Sequence, residues 1–205
     1  MKRIRVVAFD CDGVMFDTET VNKAYYNQIL QHVNKPALTP EQFAFVHMHT
    51  TDEAISYLFP DKAEAVEAND YRKQMSYLPF LDNMKIEPYL KPLLHRLRPA
   101  YPTAIATNRT NTIQTVLEVH GLADLFDLVV SAWDVEHPKP HPDPLNKIMR
   151  HFAIEPDQLL YIGDSELDQI AAEAAGAILV AYKNPSLRSG FHITSLKEIE
   201  RILDL

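Results

Sequence analysis

The sequence predicts a doubly wound α/β fold with a mainly parallel sheet and an all-helical domain inserted near its start. Three observations predict it: short continuous apolar runs, helix-period segments alternating with them, and one long interval without any strand pattern. The runs cover residues 4–9, 103–106, 128–130, 159–162 and 177–181. Strands that are apolar throughout, instead of at every second residue, belong to a parallel sheet covered on both faces. Alternation of such strands with helices gives the doubly wound, Rossmann-like class, which binds ligands beyond the carboxyl ends of its strands.

In chain order, residues 4–9 form the first strand. The chain then passes through stretches with helical spacing at 22–33, 40–48, 51–58 and 61–74, followed by a turn-like 76–85 containing Pro79 and Asp82-Asn83. This is too much chain for one crossover, so residues 16–87 are expected to form an inserted helical domain, with 1–15 and 88–205 forming the core. Residues 87–98 carry Leu90, Leu93, Leu94 and Leu97 on one face and are assigned to a core helix. Ile113, Val116, Leu117 and His120, then Leu145, Ile148, Met149 and Phe152, repeat the i, i+3, i+4, i+7 spacing.

Of the 205 residues, 46% are hydrophobic and 23% charged, the balance of a globular protein. A formal charge of -8 argues against a nucleic-acid backbone or an anionic membrane as the main partner. Cys11 is the single cysteine, so no intramolecular disulfide can form. Met1-Lys2-Arg3 starts as a signal peptide might, but the apolar stretch is broken by Arg5 and ends at Asp10. No run approaches the roughly 20 apolar residues that span a bilayer. A cytoplasmic protein is expected.

Polar residues stand at the ends of three strands. In Asp10-Cys11-Asp12-Gly13 the i, i+2 spacing of an extended segment turns both carboxylates to one side, and Gly13 permits a sharp turn or a close approach. Two adjacent carboxylates repel, which favours a bound cation or a shared proton. Gly163-Asp164-Ser165-Glu166-Leu167-Asp168 supplies carboxylates at a second strand end. Should those strands be neighbours, Asp10, Asp12 and Asp164 converge on an oxygen-only site suited to Mg²⁺. Ser165 also reads as a helix N-cap that Asp168 completes. Thr107-Asn108-Arg109 follows a third strand and leads into a helix, where a hydroxyl and free amides could receive an anion. Lys139 lies in the Pro-rich His137-Pro138-Lys139-Pro140-His141-Pro142-Asp143-Pro144. Alternation aims Cys11 away from the two carboxylates, into the core. His47 and His49 in the insertion are weighed for substrate contact, although an i, i+2 pair is more commonly helix-end decoration.

Taken together and in order, Asp10-Cys11-Asp12-Gly13-Val14, Thr107-Asn108-Arg109, Lys139-Pro140-His141-Pro142-Asp143 and Gly163–Asp168 resemble the four motifs of the haloacid dehalogenase-like hydrolases. The helical insertion is similar to the cap of their phosphoglycolate phosphatase and β-phosphoglucomutase branch, without the glycine-containing cap loop common in the former. The resemblance implies a phosphatase acting on a small phosphorylated metabolite, with Asp10 as nucleophile and Asp12 as general acid and base. It also implies Mg²⁺ held by Asp10, Asp12 through its backbone carbonyl, and Asp164. Thr107, Asn108 and Lys139 would bind the phosphoryl oxygens, and Asp168 would orient Lys139 or hold the metal through water. Two other readings use the same residues. A sugar phosphomutase would pass the phosphoryl group from Asp10 to sugar; a signalling phosphoacceptor would keep it, though such domains lack a large insertion.

Overall fold

In the computed structural model, which describes residues 4–81 and 83–205, the chain divides into two compact units. One comprises the residues up to Phe16 together with Ile86–Leu205, the other Asp17–Lys85. The expectations placed on Met1-Lys2-Arg3 and Asp82 lie outside the described residues.

The larger unit is built on a parallel sheet of β1 (Val6–Phe9), β4 (Thr103–Ala106), β5 (Leu128–Val130), β6 (Leu159–Gly163), β7 (Ile178–Tyr182) and β8 (Phe191–Ile193), in the order β5-β4-β1-β6-β7-β8. The continuous apolar runs are explained by burial: every residue of β1, β4 and β6 is buried. The sheet grows outward from β1 in both directions, so the strand order reverses between β1 and β6. In doubly wound sheets a reversal of this kind is where ligands bind, beyond the carboxyl ends of the strands. The short edge strands β5 and β8 leave little open ladder. The sequence pattern does not reveal β8, a three-residue strand whose central His192 is exposed.

Helices α6 (Leu90–Leu97), α7 (Thr112–Val119), α8 (Asp143–Phe152), α9 (Glu166–Ala175) and α10 (Ile199–Leu203) complete this unit. The expected apolar stripes face inward: Leu90, Leu93, Leu94 and Leu97 are buried in α6, as are Leu145, Ile148 and Met149 in α8. Helix α6 starts at Leu90 and not at residue 87: Pro88 disfavours helical backbone at Glu87, whose N–H pairs with the Met15 carbonyl.

The smaller unit contains α1 (Glu19–His32), α2 (Pro40–Met48), α3 (Thr51–Leu58), α4 (Lys62–Gln74) and the short α5 (Leu78–Leu81), which takes up Pro79 in place of the expected turn. Thr39 with Gln42 and Thr50 with Glu53 form capping boxes on α2 and α3, satisfying amides that helix starts leave unpaired. Its own core gathers Tyr26, Ile29, Val46, Ile55, Phe59 and neighbours. The two connecting segments, β2 (Phe16–Asp17) and β3 (Lys85–Ile86), pair as a two-stranded ribbon. Among the described residues, no helix is long and apolar enough to cross a membrane.

Leu93 has no exposed surface, whereas Val119 at the end of α7 is 53% exposed. Leu93→Ala is expected to cost about 2–5 kcal/mol by leaving a cavity, and Val119→Ala less than about 1 kcal/mol. Urea unfolding of both variants checks the contrast.

Candidate active site

The reversal between β1 and β6 brings Asp10 and Asp164 to adjacent strand ends. Asp10 follows β1 directly and donates its backbone N–H to Ile162 of β6 at 2.9 Å. Beyond it the chain folds back tightly, with Met15 and Phe16 both donating to the Cys11 carbonyl. Gly13 makes that fold possible in two ways. Its φ of +83° disfavours a side chain, and a Cβ there would lie 2.1 Å from Asp164 Oδ2. The Asp164 carboxylate therefore sits against bare backbone. Asn184 holds the Asp164 carbonyl at 2.7 Å.

Lys139 occupies the centre, 3% exposed. Its ammonium donates to Asp10 Oδ1 at 2.7 Å, Asp168 Oδ1 at 2.7 Å and the Tyr161 hydroxyl at 3.0 Å. An ammonium has three protons, so all are used. The Tyr161 hydroxyl in turn donates a hydrogen bond to Asp168 Oδ1 at 2.6 Å. Asp168 is fully buried and divides its oxygens between two tasks. Oδ1 serves Lys139 and Tyr161, while Oδ2 accepts from the backbone N–H groups of Asp164 and Ser165 and from the Ser165 hydroxyl. The capping box on α9 and the lysine contact thus share one carboxylate.

Asn108 reaches the same lysine from behind. Its amide nitrogen donates to the Lys139 carbonyl at 2.9 Å, and its oxygen accepts from the Lys139 N–H at 3.0 Å. Thr107 accepts from the Arg109 N–H at 3.1 Å. The helix does not begin there: α7 starts at Thr112, so Thr107 and Asn108 belong to a loop whose turn the Thr107 hydroxyl closes. Arg109 grips Asp12 with two parallel hydrogen bonds of 2.7 Å, a bidentate geometry that fixes both charge and orientation.

Oxygens of Asp10, Asp164 and Asp168 lie within 4.8 Å of one another. Four carboxylates, counting Asp12, meet two cations, Lys139 and Arg109, which leaves an excess of negative charge. Burial, reinforced by the other carboxylates, pushes Asp10 up to about 7 and Asp164 up to about 9. Burial acts against ionised Asp168 too, but the Lys139 ammonium beside it holds this carboxyl below its ordinary value. Lys139 is raised, because Asp10 and Asp168 outweigh its own burial. Asp164 differs from Asp168 in accepting no side-chain hydrogen bond among the described residues. A carboxylate with open oxygens beside Asp10 suits a divalent cation; the saturated Asp168 serves the lysine instead.

Asp10, Lys139, Asp164 and Asp168 are therefore brought together, Asn108 acts on the Lys139 backbone, and Asp12 joins through Arg109. Cys11 is buried, and burial raises its thiol well above the ordinary value. His47 bonds Asn22 and stacks on Phe43, while His49 bonds the Phe45 carbonyl and stacks on that ring, all inside the helical unit. The sequence reading gave no role to Arg109 or Tyr161. A tyrosine inside an otherwise apolar strand is the signal for the second, since a buried hydroxyl needs a partner.

Residues 7–182 match the family model described as haloacid dehalogenase-like hydrolase. A phosphoglycolate phosphatase of Chromobacterium violaceum is 30% identical over 198 residues, 88% of this chain and 86% of that protein. The pyrophosphatase PpaX of Bacillus cereus is 27% identical over 85% of this chain and 81% of its own length. A hydrolase of the same superfamily from Geobacter sulfurreducens, subfamily IA, superposes with a TM-score of 0.80 at 35% identity, covering 98% of this chain and 96% of that one.

Asn108→Ala would leave the buried N–H and C=O of Lys139 unpaired, at a cost of about 1–3 kcal/mol for each group. Asn108→Asp keeps the acceptor but faces the Lys139 carbonyl with a second oxygen and adds buried negative charge, so at neutral pH it is expected to lose at least as much. Denaturant unfolding of the two variants tests this order.

Proposed function

Because the chain belongs to the haloacid dehalogenase-like hydrolase family, we propose that it is a Mg²⁺-dependent phosphatase that hydrolyses a small phosphorylated metabolite through an aspartyl-phosphate on Asp10. One observation carries the reading: Asp10 stands buried at a strand end, oriented by Lys139 at 2.7 Å, with the open carboxylate of Asp164 beside it. A carboxylate so fixed can act as a nucleophile without the cost of being ordered at each turnover.

In this reading an Asp10 oxygen forms a bond to phosphorus while the bond to the leaving oxygen breaks. Asp12 donates a proton to that oxygen, then takes one from the water that hydrolyses the acyl phosphate. Both Asp12 oxygens accept from Arg109, and a proton on Asp12 takes one of the lone pairs that this bidentate contact leaves free. Lys139 and Thr107 face the charge on the phosphoryl oxygens, and Asn108 serves the same end by fixing the Lys139 backbone. Asp168 orients the ammonium. Asp10 and Asp164, with the Asp12 carbonyl, would hold Mg²⁺, which when bound supplies positive charge that stabilises the transferring phosphoryl group.

Hydrolysis is favoured over mutase chemistry because the relatives at 27% and 30% identity are hydrolases. The β-phosphoglucomutase of Clostridium difficile, at 18% identity, shares the fold alone. A cytoplasmic location accompanies the reading, supported by the lone, buried Cys11. Pyrophosphate and phosphoglycolate, the substrates that the relatives' names indicate, come first in a screen of phosphorylated metabolites with Mg²⁺ that measures released phosphate.

Asp10→Asn is expected to lower turnover on any substrate found by about 10³-fold or more while the protein keeps its fold; near-native activity in that variant would refute the nucleophile. A second expectation concerns pH. The raised Asp10 and Asp164 carboxyls favour the metal-free folded state below their ordinary pKa of 3.8, and that contribution is lost as pH rises through about 7 and about 9. Mg²⁺ competes with those protons, so the rise in Tm it produces should be larger at pH 8.5 than at pH 6. Thermal unfolding with and without Mg²⁺ at the two pH values measures it.

A further inference from the structure

The Pro-rich segment that carries Lys139 inward presents a different set of side chains outward. His137 and His141 flank Lys139 at two residues on either side, and their side chains are 56% and 47% exposed. Asp143, the first residue of α8, stands between them. His137 Nδ1 lies 3.2 Å from Asp143 Oδ2, and His141 Nδ1 lies 3.1 Å from Asp143 Oδ1. The two rings are 4.6 Å apart, and one ligand atom from each of the three residues falls within a span of 4.8 Å. None of these atoms contacts the Asp10 cluster, which Lys139 alone serves.

We propose that His137, His141 and Asp143 form a second metal site, for a divalent transition-metal ion of the zinc class, with its remaining coordination position open to water. The spacing supports this. Four ligands at about 2.0–2.2 Å from zinc stand about 3.3–3.6 Å from one another in a tetrahedron. His137 Nδ1 and His141 Nδ1 approach different oxygens of Asp143, at 3.2 and 3.1 Å, and one ligand atom from each residue lies within 4.8 Å of the other two, so rotation of the exposed rings and of the carboxylate brings two nitrogens and one oxygen to that edge. The backbone also helps. Pro138, Pro140, Pro142 and Pro144 fix φ at every second residue, and His141 N–H closes a turn onto the Pro138 carbonyl at 2.9 Å. A segment stiffened in this way loses little conformational entropy when a metal joins its side chains.

The donor set chooses the ion. Two imidazoles and one carboxylate suit Zn²⁺, Ni²⁺ or Cu²⁺, whereas Mg²⁺ prefers oxygens alone, as the Asp10 and Asp164 cluster offers. In the metal-free state Asp143 accepts from the His137 ring at 3.2 Å and from the His137 N–H at 3.3 Å, and the His141 ring lies 3.1 Å from its other oxygen. Metal binding replaces the ring contacts: the Nδ1 proton leaves to solvent, or exchanges through solvent to Nε2, and the Nδ1 lone pair turns to the ion.

The test uses untagged, metal-stripped full-length protein in excess Mg²⁺. Zn²⁺ titration by calorimetry is run on the natural chain and on the His137→Ala/His141→Ala double variant. The natural chain is expected to bind one Zn²⁺ more than the variant, and Co²⁺ in its place to give the intense visible absorption of a four-coordinate site. Equal stoichiometry in the two proteins, an extra Zn²⁺ that further Mg²⁺ displaces, or a purely six-coordinate Co²⁺ spectrum would overturn the proposal. The Co²⁺ spectrum needs no variant, so a misfolded double mutant does not remove the test.

Discussion

The buried ammonium of Lys139 is the contact on which the rest of the core's polar architecture depends. It is 3% exposed, and the cost of taking a charge out of water is offset only because three acceptors surround it. Each acceptor is itself anchored in a different element: Asp10 after β1, Tyr161 within β6, and Asp168 in the first turn of α9. Asn108, from the loop after β4, clamps the lysine backbone. Removing one partner of such a buried pair commonly costs about 3–5 kcal/mol, while an apolar replacement of the whole set is often no less stable. An arrangement of this kind is poorly explained by stability, and the proposed chemistry at Asp10 gives it a purpose.

The charges around the lysine do not balance, and the imbalance is informative. Asp168 is saturated with hydrogen bonds and stays below its ordinary pKa, whereas Asp10 and Asp164 are driven upward by burial and by neighbouring carboxylates, Asp168 first among them. The protons they hold belong to the cluster as a whole and not to one side chain. Gly13 keeps this cluster compact, since the approach of Asp164 to the backbone leaves no room for a Cβ. Geometry and electrostatics thus favour the same occupant, a small divalent cation bound by oxygen.

Much of this was legible in the amino-acid order. Continuous apolar runs located β1, β4, β5, β6 and β7 because strands covered on both faces are apolar throughout, and the ends of 103–106 and 128–130 fell where the structure has them. β8 was not legible: three residues with an exposed centre carry no such signature. One helix start shifted at a proline, since Pro88 keeps Glu87 out of α6. In the site, carboxylates at strand ends announced themselves through spacing. Tyr161 and Arg109 did not, since their roles follow from long-range partners, Lys139 and Asp12, separated from them by 22 and 97 positions. Position in the chain also concealed that Asn108 acts on the backbone of Lys139, a contact that exists only after β4 and the Pro-rich loop have been brought together.

The claim at the centre of this account is that the Lys139-bound carboxylate of Asp10 becomes phosphorylated during turnover. Rapid acid quenching with a substrate identified by phosphate release, followed by borohydride reduction and peptide mass analysis, tests it most directly. The account predicts conversion of Asp10 to homoserine, in proportion to the trapped intermediate and absent when substrate is withheld. Reduction at another acidic residue, or turnover with no reducible acyl phosphate at any quench time, would contradict it.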